Sequence, residues 1–117
     1  MSKRDVLISV DDIIEAAERI SDYIKYYSKE DFETDQKTID AVVRNIEIIG
    51  EAASNIPEDF RCRYPQIPWK RIVGTRNIVI HKYFGVDTGI LWFIIQKQLP
   101  ELKLQMIKMI HNIEEKE

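Results

Sequence analysis

Apolar residues in this chain recur every three or four positions almost from end to end, and nowhere do they alternate. Ile39, Val42, Val43, Ile46, Ile49, Ala53 and Ile56 make the most regular stripe. At about 100° per residue they fall on one side of an α-helix, whereas a strand would scatter them over both faces. Asp35 or Thr34 is placed to cap this helix and Pro57 to end it. Upstream, Ile13, Ile14, Ala17, Ile20 and Ile24 repeat the spacing and predict a first helix over Lys3 to Tyr27. Ser28 followed by Asp31 has the form of a capping box, which announces a short helical turn. Downstream, Pro57, Pro65 and Pro68 punctuate a loop or short helical turn over 58–67. Pro68 suits the first turn of a third helix with Trp69, Ile72, Val73, Val79 and Ile80 as its apolar positions, and Gly85 is the expected stop. Asp87 caps a fourth, whose stripe runs through Leu91, Ile94, Ile95, Leu99, Leu102, Met106, Met109, Ile110 and Ile113. Pro100 lies inside that stripe and is expected to kink or divide the helix.

The fold expected is therefore all-α: an up-down bundle of four main helices plus short helical turns, in one domain over 1–117. Hairpin dipeptides such as Asn-Gly are absent. No apolar run approaches the roughly 18 residues of a membrane span. The opening MSKRDVLISVDD has no apolar signal core. With Cys62 the single cysteine, no intrachain disulfide or cysteine metal cluster can form, and a reducing, cytoplasmic setting is expected.

Charge is unevenly distributed. The net charge is -3, yet no acidic residue stands between Asp59 and Asp87, a stretch that holds Arg61, Arg63, Lys70, Arg71, Arg76 and Lys82. A basic region on an acidic body suits a phosphate-bearing partner. It equally suits cations that answer acidic residues on neighbouring helices.

Within that stretch GTRNIVIHKYFGVD sets Arg76, His81 and Tyr83 in an R-x4-H-x-Y pattern, with Asn77 beside the arginine. Arginine is permanently charged and forks two hydrogen bonds onto phosphate. Histidine titrates near neutrality and moves protons. Asn77 lies one helical turn before His81 and is placed to orient it. Such a set serves phosphodiester cleavage without a metal. A base takes the proton of an RNA 2′-hydroxyl, that oxygen attacks the adjacent phosphorus, and the arginine stabilises the added charge. Five residues on a regular helix is about 140° of rotation, so Arg76 and His81 do not share a face. Either the helix loosens there or another chain completes the site. A two-fold dimer would supply two arginines and two histidines, hence both an acid and a base. The structural alternative for the same residues is a surface histidine favoured by a helix C-terminus and a tyrosine packed in the core with a wet tip.

Three blocks resemble a known family: RNIEIIGEAA (44–53), W-K-x-I-V-G-T-R-N with I-x-H-x-Y (69–83), and VDTGILW (86–92) followed by Leu99-Pro100-Glu101-Leu102. In order and spacing they resemble the HepT-like proteins of the HEPN superfamily, the ribonuclease-toxin half of a two-gene prokaryotic toxin–antitoxin module. The resemblance implies a helical homodimer whose motifs line a shared cleft. It implies metal-independent endoribonuclease action on tRNA or mRNA with no cofactor. It also implies a minimal nucleotidyltransferase antitoxin that transfers AMP from ATP to Tyr83. AMP there would bring bulk and negative charge into a basic cleft and repel RNA. Arg76 and His81 are then the catalytic candidates, Asn77 and Glu51 the supporting ones, and Lys70, Arg71 and Lys82 candidate RNA contacts. Glu51 either pairs with Arg76 or is a solvated helix residue, and Arg44 has the same two readings. Gly50, inside the second stripe, points to close helix packing.

The rival expectation is a non-catalytic helical module that docks a nucleotidyltransferase or presents substrate to it. Cys62 and His111 read as exposed side chains, Trp69 and Trp92 as packing residues, and Met106 and Met109 as core or interface. No histidine pair has metal-ligand spacing and no glycine-rich phosphate loop is present.

Overall fold

A computed structural model describes residues 2–81 and 87–115, and of 76–81 the backbone only. The described residues are helical, with no strand among them. Among the described residues seven α-helices follow in order: α1 (Lys3–Tyr23), α2 (Lys29–Glu33), α3 (Gln36–Asn55), α4 (Glu58–Arg61), α5 (Trp69–His81), α6 (Thr88–Phe93) and α7 (Leu99–Glu115). A π-helical segment, Ile94–Gln98, joins the last two.

Local signals set the starts of these helices. Ser2 caps α1, and Ser2 and Asp5 exchange the two bonds of a capping box. Ser28 and Asp31 do the same for α2. Asp35 caps α3 through the Thr38 amide, and Asp87 caps α6 through the amides of Gly89 and Ile90. Each satisfies amide groups that a helix start leaves unpaired.

The first helix stops short of the expected Tyr27. It ends at Tyr23, and residues 24–27 form a turn closed by the Tyr27 amide on the Ile24 carbonyl. The reason lies across the junction. The Tyr27 hydroxyl donates to the Asp35 carboxylate, which also accepts from the Thr38 hydroxyl at 2.7 Å. This tertiary bond holds the chain in a turn that no glycine or proline announces.

The stripes meet in one core. α1 contributes Val6, Val10, Ile13, Ala17 and Ile20, and α3 contributes Ile39, Val42, Val43, Ile46, Ile49 and Ala53. α1 packs on α3 and α7, α3 packs on α5, and α2 rests on α3 and α6. Phe32 of α2 is fully buried, with Trp92 of α6 against it at a ring separation of 5.5 Å. Met106 and Met109 are core residues. Among the described residues two polar ones enter the interior, Ser9 and Asn45. Asn45 donates to the Ala41 carbonyl at 2.9 Å and accepts from Arg19 at 3.5 Å, which ties α3 to α1.

The last helical stretch is divided just ahead of Pro100, where the π-helical Ile94–Gln98 separates α6 from α7. The turn there is wider than an α-helical one: the Leu99 amide bonds the Ile94 carbonyl, five residues back. A proline ring crowds the carbonyl four residues upstream in an α-helix, and a wider turn relieves that crowding. No helix among the described residues is long and apolar enough to cross a membrane.

Candidate functional site

The motif helix α5 is anchored at its beginning. Trp69 is buried and its indole donates to the Tyr64 carbonyl at 3.2 Å. Tyr64 in turn donates to Asn112 of α7 at 2.7 Å, and burial raises its phenol pKa against the opposing pull of Arg63. Ile72 is buried, Val73 half-buried, and Thr75 bonds back to the Arg71 carbonyl at 2.8 Å. Pro68 stands just before the helix, its carbonyl accepting from the Ile72 amide.

From that anchor the backbone continues as α-helix through Arg76, Asn77 and His81. Helix geometry therefore keeps positions 76 and 81 about 140° apart around the axis. Lys70, Gly74, Asn77 and His81 follow one another at spacings of four, three and four, so these positions share one face. The side chains of Arg76, Asn77, Val79, Ile80 and His81 lie outside the described residues, as do Lys82, Tyr83 and the expected stop at Gly85.

Lys70 and Arg71 are exposed on α5. Glu51 is exposed on α3, the helix that supports α5. Arg44 is exposed and pairs with Glu47 at 3.7 Å on its own helix. Gly50 is buried. Cys62 and His111 are exposed. Among the described residues, no three His, Cys, Asp or Glu side chains cluster as a metal site requires.

Gly74 escaped the reading of the sequence. It sits inside α5, and a Cβ built on it would meet no described atom within 4 Å. Its signal was a glycine interrupting a helical stretch, a position that costs about 1 kcal/mol relative to alanine. α6, directly after the motif, shows a second feature. Leu91 and Trp92 pack inward, while Ile90 and Phe93 are 56% and 55% exposed.

The model of the family described as Ribonuclease HepT-like matches residues 13–109. A relative named "Probable ribonuclease HepT", from Thermococcus cleftensis, is 46% identical over 80% of this chain and 86% of its own length. From Methanocaldococcus jannaschii, "Putative RNase MJ1380" is 43% identical over 91% of this chain and 97% of its own. A two-activity protein of that organism, "Gamma-glutamylcyclotransferase and putative RNase MJ0434", is also 43% identical, and the chain spans 50% of its length. No solved structure matches the chain. With most of its length inside the family's bounds and the R-x4-H-x-Y residues in place, the chain belongs to the Ribonuclease HepT-like family, a family of RNA-cleaving enzymes of the HEPN type.

Proposed function

We propose that this chain is a single HEPN-like domain acting as a metal-independent endoribonuclease, the toxin of a type VII-like toxin–antitoxin module, on tRNA or mRNA. The observation that carries the reading is the unbroken course of α5 through the R-x4-H motif. Positions 76 and 81 then stand about 140° apart around one helix, so a cleft in which Arg76 and His81 face one phosphate draws them from two copies. In this site His81 removes the 2′-hydroxyl proton and the second histidine returns a proton to the leaving 5′-oxygen. Arg76 neutralises the charge that develops on the phosphorane oxygens, and Asn77 orients the imidazole. Glu51 supports the motif from α3. Lys70, Arg71 and Lys82 draw the RNA backbone to the cleft. A minimal nucleotidyltransferase silences the enzyme by placing AMP on Tyr83, whose phosphate repels the substrate.

The test is RNA cleavage in EDTA by wild type, Arg76→Ala and His81→Ala. Each variant should lose at least about a hundredfold in rate. Mixing wild type with an equal amount of His81→Ala should roughly halve the wild-type activity, because about half of the wild-type chains re-form as hybrids that lack the second histidine. Equal cleavage by all three proteins would dismiss the mechanism. Wild-type activity undiminished by such mixing would dismiss its two-copy form.

A further inference from the structure

We infer that the RNA strand runs along the Lys70–Gly74–Asn77–His81 face of α5, with its sugar–phosphate backbone pressed against the helix at Gly74. This rests on the ribonuclease reading above and adds the path of the substrate to it. Three observations converge. First, Gly74 is helical and no described neighbour explains its missing side chain, since a Cβ there meets nothing within 4 Å. Packing against the described residues therefore does not demand glycine, and helix stability argues against it. What glycine supplies is close approach of another backbone from outside. Second, the spacing of 70, 74, 77 and 81 puts Gly74 between an exposed lysine and the proton-transfer position. At 1.5 Å per residue, Lys70 lies about 16 Å from His81 along the axis, a span of a few nucleotides. Third, no acidic residue occurs on α5, nor anywhere between Asp59 and Asp87, so nothing in that stretch repels phosphate. Lys70 then holds a phosphate remote from the scissile bond, and Gly74 lets the intervening ribose settle low enough for the next linkage to reach position 81. The residues are substrate-positioning residues and take no part in proton transfer.

The experiment uses the full chain with Gly74→Ala, Gly74→Leu and Lys70→Ala. The probes are a cleavable RNA and its 2′-O-methyl counterpart, which has no attacking hydroxyl. Gly74→Ala should melt a few degrees higher than wild type, about 4 °C, because alanine favours the helix and finds open space. The same variant should bind the 2′-O-methyl RNA roughly tenfold more weakly and raise KM with kcat little changed, and Gly74→Leu should do worse. Lys70→Ala should flatten the salt dependence of binding by about one charge. Unaltered binding by both Gly74 variants would overturn the proposal. So would loss of the dimer in Gly74→Leu by sedimentation, which would make Gly74 a contact between copies. Because binding is read on an RNA that cannot be cut, a protein that binds through this face without cleaving would sink the nuclease reading and leave the path standing.

Discussion

Asp35 accepts three bonds with one carboxylate. It caps α3 through the Thr38 amide at 3.2 Å, accepts the Thr38 hydroxyl, and receives the Tyr27 phenol from the turn after α1. The Tyr27 bond is the largest of the influences that hold its pKa below the usual 3.8, followed by the two bonds from Thr38. A carboxyl depressed on folding stabilises the fold above its unfolded pKa, and that contribution disappears as pH falls through the lower folded value. Tyr27→Phe should therefore melt below wild type at pH 7, and the gap should narrow below about pH 4. Melting curves across that range check it, and a gap that stays constant with pH would show that lost packing alone is responsible. Residues of this kind divide what could be read in advance from what could not. Ser28, Asp31, Asp35 and Asp87 were legible as caps because a cap is a local event within four residues. The Tyr27–Asp35 bond was not, because it joins two elements whose approach depends on the packed core. Arg76 and His81 were singled out as candidates by type and spacing, and Gly74 was passed over because glycine has meaning only once its surroundings are known.

At the scale of elements, α6 is short and follows directly on the motif segment, so its start has an influence beyond its size. Asp87 gives it two backbone bonds, at 2.8 Å to Gly89 and 3.3 Å to Ile90. Asp87→Ala should cost about 1 kcal/mol in urea denaturation. If the cap also orients the motif, cleavage should fall by more than that loss of stability predicts. The bundle of apolar faces was visible in the sequence because burial on a helix leaves a three-four rhythm. Less visible was the wide turn at Ile94–Gln98. Its trace is a pair of consecutive four-residue steps, from Leu91 to Ile95 to Leu99, with no intervening three. Beyond Leu99 the buried positions Leu102, Met106, Met109 and Ile113 return to alternating threes and fours. Pro100 marked the right place, and the physical response was a wider turn.

For the molecule as a whole, the proposed site asks for a second copy, and we propose the outer face of α6, the helix that follows the motif in sequence, as its seat. Among the described residues the exposed large apolar side chains are Ile8, Tyr23, Tyr26, Ile90, Phe93 and Leu104. Of these, Ile90 and Phe93 are hydrocarbon neighbours one turn apart on the element that begins just after residues 82–86. Phe93→Asp should shift the protein from dimer to monomer in sedimentation while preserving its helical circular dichroism, and Leu104→Asp should leave the assembly unchanged. The opposite pattern would move the interface to α7. The wide turn before Pro100 bears on the same larger scale, because it sets the phase between two halves of one rod. Removing a single residue there would bring the rod back to even pitch, which Pro100→Ala would then let it hold. Adding one would rotate every later contact of α7 by about 100° and turn its greasy side away from α1. The tolerance of this rod for a change of length is thus one-directional.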